Sequence, residues 1–533
     1  MFSISSYFSV EYLLMLLPAC VLLYLILPQQ LRRVCLLLFS YAFFWAVSGK
    51  LIAYLLVSTL LVYLFGLWLD KIRQQCTDAL AACEKGGKKA VRALYQSRLL
   101  RVCALGAVLQ LAVLLTLKYT PFFTDNLNSA LALLHIPVLL NRPSFAVPIG
   151  ISFYTLQAVS YIIDVYHGKI RADRNLMRLA LYMSFFPQIM EGPICRYSDT
   201  ASQLWEAPKI RWENLIRGCE RILFGLMKKT VAADRLNLLI ENVFTGYADY
   251  DGFVIALSAI CYTIQLYMDF SGTMDVVIGT GQIFGITLPE NFRRPFFSKT
   301  ISEFWTRWHI TLGTWFKDYL FYPVSMSKPM KKLTSKARKR FGNHYGPLFA
   351  GGISLFCVWL CNGLWHGAGW HYIAFGMYHF VLILSGSLLL PLSISMAEKF
   401  HIRRTHPAYR VMQTVRTFFL VCVGELIFRA RSLGEAAGML KKIAANFTIA
   451  SLRDQSLFTF GMDRADWAIL LVFLLIIFAV SLLQERDVRI RESLSRKGIA
   501  VHFAVCYALI LFIIVFGAYG QGYLPVNPIY AEF

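Results

Sequence analysis

Two histidines stand inside apolar sequence, where an ionisable side chain is costly to place and is therefore a functional candidate. His309 lies in Ile301-Ser-Glu-Phe-Trp-Thr-Arg-Trp-His309-Ile-Thr-Leu, and His366 in Cys361-Asn-Gly-Leu-Trp-His366-Gly-Ala-Gly-Trp370. A neutral imidazole titrates near the operating pH, so it can take the proton of a hydroxyl as that oxygen attacks an ester or thioester carbonyl. Burial disfavours the charged ring and keeps such a base available. Asn362 precedes His366 by one helical turn and Trp370 follows it by one, so a continuing helix would flank the imidazole with a carboxamide and an indole. The plain alternative for either histidine is a buried ring bonded to a backbone carbonyl, and composition alone does not overturn it. His167, His344, His371 and His379 carry that plain reading. His366 and His371 are out of line on a helix and have no carboxylate close by in sequence, so no metal site is expected.

A second polar group, Gln265-Leu-Tyr-Met-Asp269-Phe-Ser271-Gly-Thr-Met-Asp275, also interrupts an apolar run. Asp269, Ser271 and Asp275 need partners there, and Arg293, Arg294 and Arg307 are the expected ones. A structural ion pair and a place on the wall of a substrate tunnel are equally good accounts of them. Gly279 and Gly281 do not complete a strand-to-helix phosphate loop, so no nucleotide fold is implied.

The elements that hold these residues must be membrane helices. The chain has 533 residues, 57% hydrophobic and only 16% charged, far from the composition of a soluble domain. Apolar runs of roughly bilayer length fall near residues 8–28, 34–48, 51–69, 103–124, 146–166, 174–190, 218–240, 252–286, 346–366, 370–393, 411–430, 466–483 and 499–518. The expected fold is an all-α polytopic membrane protein of about 11–13 membrane helices. Segments 128–140 and 174–190 are candidates for short, interfacial or re-entrant pieces. Thr300 and Glu303 have capping-box spacing, so a helix starts near Ile301 and brings Trp305, His309 and Phe316 toward one face.

The formal charge of +22 is collected in short basic stretches, Lys71–Arg101, Lys328–Arg340, Arg403–Arg416 and Arg486–Lys497. That pattern fits cytoplasmic loops facing anionic lipid and argues against a nucleic-acid partner. Parity then places both termini outside, including the tail 521–533. The run from Phe8 to Leu27 lacks a basic flank and a cleavage site and reads as a retained span. The twelve cysteines are scattered singly and read as small core residues. With no long polar domain or internal repeat, residues 1–533 read as a single membrane domain.

In order along the chain come Pro148-Ile-Gly-Ile-Ser-Phe-Tyr-Thr-Leu-Gln157, Phe185-Phe-Pro-Gln-Ile-Met-Glu-Gly-Pro193, Asp269-Phe-Ser-Gly272, Leu288-Pro-Glu-Asn-Phe292, Glu303-Phe-Trp-Thr-Arg-Trp-His309, Asp318-Tyr-Leu320 and Leu364-Trp-His-Gly-Ala-Gly369. This ordered series resembles the membrane-bound O-acyltransferase (MBOAT) family, in its bacterial branch of alginate O-acetylases and teichoic acid D-alanyl transfer proteins. The resemblance implies a ring-like helical fold around a central tunnel, with a catalytic core over residues 145–395. It makes His366 the principal base and gives His309 the task of orienting the acyl carbonyl or the acceptor. Asn362, Asp269, Ser271, Trp305 and Arg307 would support the tunnel. The loop Pro323-Val-Ser-Met-Ser-Lys328 departs from the family pattern in lacking a glycine pair.

The reaction so implied moves a short acyl group, expected to be acetyl, from a cytoplasmic thioester toward hydroxyls of an extracellular polysaccharide or envelope polymer. Acyl-CoA or an acyl carrier protein would be the donor, with no bound cofactor. The partner would be an extracellular acyltransferase of the SGNH-hydrolase-like kind, and the location the bacterial inner membrane. The ending Asn527-Pro-Ile-Tyr530-Ala-Glu-Phe533 resembles aromatic C-terminal segments of bacterial members or their partner peptides, which makes Tyr530 a candidate acyl relay. An interfacial aromatic anchor explains it equally well. The alternative function is a transporter or flippase, which also needs many spans and intramembrane Asp and His; the lack of two matched halves weighs against it.

Overall fold

The computed structural model describes residues 4–84, 86–495, 497–520 and 522–527. Among them the chain is helical, and the sole β pairing is an isolated antiparallel bridge between Phe292 and Trp308. Among the described residues, eight helical stretches are long and apolar enough to cross a membrane: Gln29–Ala81, Lys88–Leu133, Gly252–Ile283, Lys328–His366, Trp370–Leu388, Pro407–Arg429, Arg464–Glu485 and Gly498–Phe516. The first joins two expected spans across a tight turn at Gly49, whose φ of 54° suits glycine. Several other expected segments are short elements, as in the nine-residue helix Leu176–Ser184. Three basic stretches read as loops, Lys71–Arg101, Lys328–Arg340 and Arg403–Arg416, lie largely in helix ends instead. Lys88–Leu133 runs 46 residues, roughly 69 Å at 1.5 Å per residue, so its basic start lies beyond a hydrocarbon core of about 30 Å.

The chain forms two compact units. The first comprises the described residues up to Cys219 together with Val277–Pro289. Its core is aromatic, with Tyr7, Tyr12, Phe43, Phe186 and Phe284 packed edge to face or stacked at centroid separations of 5.1–6.2 Å. The segment Phe185–Pro193 is an irregular, buried turn whose backbone is bonded by side chains: Tyr7 Oη donates to the Phe186 carbonyl and Ser40 Oγ accepts from the Phe186 N–H. Gly150, at φ 76°, lies against that turn, and a methyl there would meet the Ile189 carbonyl oxygen at 2.0 Å. Two of the motifs singled out in the sequence are thus the two sides of one close backbone approach.

The second unit comprises Glu220–Val276 and the described residues from Glu290 onward. Its helices include, in chain order, α1 (Gly252–Ile283, of which the part up to Val276 belongs to this unit), α2 (Ile301–Arg307), α3 (Ile310–Phe316), α4 (Lys328–His366), α5 (Trp370–Leu388), α6 (Pro407–Arg429), α7 (Arg464–Glu485) and α8 (Gly498–Phe516). The long α4 is kinked at Gly342, whose φ is 78°. It packs against α5 at small residues, where a methyl on Gly376 would lie 2.3 Å from the Trp359 carbonyl oxygen and one on Gly363 would lie 2.5 Å from that of Tyr372. Such contact brings the two backbones close without polar glue. The outer face of α8 exposes Ile499, Phe503, Tyr507, Ile514 and Val515, as a lipid-facing helix does.

Candidate active site

Thr300 caps α2 as its spacing with Glu303 predicts: its side chain accepts from the Glu303 N–H at 3.1 Å. The helix does not run on through His309, however. Trp308 is extended, His309 is left-handed (φ 46°, ψ 51°), and α3 starts at Ile310. That conformation costs a non-glycine residue about 1–3 kcal/mol and survives only where neighbours impose it. Here the neighbour is Asn291–Arg293. The Arg293 N–H donates to the Arg307 carbonyl at 2.8 Å, the Ile310 N–H donates to the Asn291 carbonyl at 3.0 Å, and Phe292 pairs with Trp308. The Asn291 side-chain oxygen accepts from both the N–H and the hydroxyl of Thr311, each at 3.0 Å. This pairing outcompetes the helical hydrogen bonds that continuity would have required.

The break does not separate the residues expected on one face. Trp305, His309 and Phe316 line a common cavity with Leu312, Gly313, Val358, Trp359 and Asn362, about 50 Å³ in volume. His309 is 2% exposed and packs edge-on against Phe270 at 4.9 Å. Burial pushes its imidazole down to about 3, so the ring is neutral at ordinary pH.

His366 is the last residue of α4, and Gly367 is extended, so the helix stops there. Trp370 therefore opens the next helix and is 54% exposed, so the continuous helix that would have set it one turn after His366 is not formed. Asn362, one turn back on α4, does lie on the cavity wall. His366 is buried between Phe375 and Phe428, at centroid distances of 5.9 and 5.2 Å. The indole of Trp365 stands 5.0 Å from His366 and 5.7 Å from His309, so a single ring spans the two imidazoles.

Trp305 is fixed by a histidine to which the sequence assigned no role. Its indole N–H donates to His379 Nδ1 at 3.2 Å, and the His379 ring, fully buried, stacks on Trp359 at 5.4 Å. His379 sits in an apolar helix with no local mark that distinguishes it from a core histidine. Asn291 had such a mark, since Leu288–Phe292 is one of the ordered motifs.

The acidic residues of α1 take partners other than the arginines expected. Asp275 pairs with Lys228 at 2.7 Å and Arg221 at 3.0 Å, Asp269 pairs with Lys229 at 2.7 Å, and Lys228 reaches Ser271 Oγ at 3.2 Å. Arg294 and Arg307 are instead held by Glu485, and Arg307 also by Glu303 at 2.7 Å. The reason is a glycine crossing. A methyl on Gly225 would lie 2.5 Å from the Gly272 carbonyl oxygen, so the backbones nearly touch and the lysines just beyond reach α1. Asp269 and Ser271 thus bracket Phe270: the aromatic ring packs on His309 while the polar neighbours meet the lysines.

Lys229, with Asp234 and Asp466, also holds the segment Tyr523–Val526. Lys229 donates to the Val526 carbonyl at 2.7 Å, the Val526 N–H donates to Asp234 at 2.8 Å, and Tyr523 Oη donates to Asp466 at 2.8 Å. Tyr530 lies outside the described residues.

Residues 169–338 match the model of the membrane-bound O-acyltransferase family. The chain is 34% identical over 431 residues to a protein of Pseudomonas putida named "Probable alginate O-acetylase AlgI", covering 80% of this chain and 78% of that one. It is 29% identical over 368 residues to the peptidoglycan O-acetyltransferase of Helicobacter pylori, with 63% of each chain covered. To the teichoic acid D-alanyltransferase of Bacillus subtilis it is 30% identical over 302 residues, 53% of this chain and 69% of that one. With its ordered motifs, many apolar helices and paired buried histidines, the chain belongs to the membrane-bound O-acyltransferase family and is a multi-pass membrane O-acyltransferase.

Proposed function

We propose that this enzyme moves a short acyl group, acetyl in the first instance, from a cytoplasmic thioester to hydroxyls of an exported polysaccharide or other envelope polymer, in the bacterial inner membrane. The observation that carries the reading is the pair of buried histidines spanned by Trp365, with His309 lining a small, largely apolar cavity. The names of the relatives, which act on alginate, peptidoglycan and teichoic acid, support an envelope polymer as acceptor.

In the step so proposed, the acceptor oxygen attacks the thioester carbonyl while its proton passes to His366. The tetrahedral intermediate collapses with cleavage of the carbon–sulfur bond, and the leaving thiolate recovers a proton from the imidazolium. His309 orients either the acyl carbonyl or the acceptor. Acyl-CoA or an acyl carrier protein supplies the thioester, and basic cytoplasmic segments such as Lys328–Arg340 favour a phosphorylated donor. In the relay, Tyr530 Oη is that attacking oxygen and holds the acyl group as a phenolic ester; a hydroxyl of an extracellular acyltransferase of the SGNH-hydrolase-like kind then attacks the ester carbonyl, the bond to Tyr530 Oη breaks, and the phenol leaves with the hydroxyl's proton. The anchoring of Val526 supports this relay, because it ties the chain down four residues before Tyr530.

The test is the ester-linked acyl released by mild alkali from envelope and secreted polymers, comparing wild type with His366→Ala at equal membrane levels. Loss of one acyl species supports transfer through His366 and names the group. Unchanged ester in a polymer that wild type modifies removes His366 as the base. Tyr530→Phe in the same assay should abolish delivery if the tyrosine is the relay; undiminished delivery leaves it an aromatic anchor.

A further inference from the structure

We propose that Asn291 is a positioning residue that sets which nitrogen of His309 carries hydrogen, so that His309 meets the substrate as a hydrogen-bond acceptor and does not bind the acyl carbonyl. The proposal rests on the acyltransfer reading above and decides between the two tasks left open there for His309.

The Asn291 carboxamide has only one consistent orientation. A backbone N–H, that of Thr311, points at one end of it from 3.0 Å, and an N–H can only donate, so that end is the oxygen. The Thr311 hydroxyl donates to the same atom at 3.0 Å, while the Asn291 amide nitrogen donates to Met274 Sδ at 3.3 Å. Asn291 is fully buried, so its orientation is not shared with solvent. Its oxygen then lies 3.4 Å from His309 Nδ1. A carbonyl oxygen has nothing to donate, and two lone pairs facing each other in a dry site would repel. The stable neutral ring therefore carries hydrogen on Nδ1 and a lone pair on Nε2.

The backbone makes this contact rigid. The left-handed turn at His309 is held by the pairing of Asn291–Arg293 with Arg307–Ile310, so the ring and the carboxamide that reads it come from the same short bridge. Asn291 thus does two things: it takes part in the pairing that breaks the helix and aims the imidazole, and its oxygen, 3.4 Å away, favours hydrogen on the facing Nδ1. What His309 has left is the Nε2 lone pair, which accepts from an O–H or N–H of the substrate and offers nothing to a carbonyl oxygen. Polarising the carbonyl falls to a different donor, and the Asn362 carboxamide is on the same cavity wall.

The experiment uses the full-length protein in detergent, labelled with ¹⁵N-histidine. Ring nitrogens with and without hydrogen resonate far apart, and His309 is identified among the ten histidines by the signals lost in His309→Gln. Wild type should show hydrogen on Nδ1 of His309, Asn291→Asp should keep it, and Asn291→Ala should shift the ring toward the other tautomer. Hydrogen on Nε2 in wild type, or an unchanged spectrum in Asn291→Ala, overturns the proposal. In turnover, with acetyl-CoA as the probe and free thiol as the readout, Asn291→Ala should lower kcat about a hundredfold, leave the KM for acetyl-CoA unchanged, and be largely rescued by Asn291→Asp. A raised KM with kcat retained would overturn the positioning role. The spectrum needs no turnover, so failure of acetyl-CoA as a donor counts against the proposed donor and leaves the tautomer to its own measurement.

Discussion

Replacing Lys229 with methionine removes one cation that serves three elements at once. Its ammonium lies 2.7 Å from Asp269 on α1, 3.1 Å from Asp234, and 2.7 Å from the Val526 carbonyl. The lysine side chain is 7% exposed, and those of Asp269 and Asp234 are 4% and 8%, so water cannot take over from it. Methionine nearly conserves the volume, which leaves the electrostatic loss as the main effect. Stranding a buried ion by deleting its partner costs about 3–5 kcal/mol. An unfolding entropy near 2.1 cal/mol/K per residue gives roughly 1.1 kcal/mol/K for 533 residues. The melting midpoint of the purified protein should therefore fall by at least about 3 °C, because membrane helices that persist on unfolding make the true entropy smaller and the shift larger. Adding Asp269→Asn to Lys229→Met should recover part of the loss, because one stranded carboxylate is then neutral. The tail reports separately: limited chymotrypsin digestion, followed by mass spectrometry, should remove residues beyond Tyr523 faster in Lys229→Met. An unchanged midpoint, or a double variant less stable than the single, would refute the view that Lys229 is the shared counter-ion.

His379→Leu deprives the Trp305 indole N–H of its acceptor, costs about 1–3 kcal/mol, and loosens a wall of the cavity. Thermal melts and polymer ester content should both fall, with His379→Gln retaining more of each. Gly376→Ala should push α5 off α4 through the 2.3 Å contact with the Trp359 carbonyl, at a cost of about 1–3 kcal/mol, and reduce transfer although no polar group is touched. Gly386→Ala, on the same helix with no atom within 4 Å, is the control and should behave as wild type. Acid should weaken the protein partly through His309. Its folded value of about 3 lies below an unfolded value near 6.5, so the unfolded chain binds more protons between the two. Stability from this group is present above about pH 6.5 and is lost as pH falls toward about 3, by up to roughly 1.4 kcal/mol per pH unit. His309→Phe should flatten that part of the pH dependence of the melt; an identical slope would show that His309 does not set it.

Membrane helices are legible in this sequence because an apolar run of bilayer length has few other uses, and Thr300, three residues before Glu303, gives the true start of α2 as its N-cap. The break seven residues into α2 is not written locally. Nothing in Arg307-Trp-His-Ile310 asks for a left-handed turn, and the cause is Asn291, well upstream in the chain. The pairing of Asp269 and Asp275 failed to show for a related reason. A sequence names the buried charges, and the requirement that each find a partner is sound, but partner choice depends on which helices cross and where. Arg294 and Arg307 are nearer in sequence to Asp275 than the lysines are, yet Glu485 on α7 holds them. The local trace of the real answer is the pair of glycines. Gly225 stands one turn before Lys228 and Lys229, and Gly272 lies within one turn of Asp269, Ser271 and Asp275, so a close crossing of these two glycines puts every one of those ions within reach. Small residues that permit helix contact, read together with the charges one turn away, therefore carry more information about ion pairing here than proximity along the chain does.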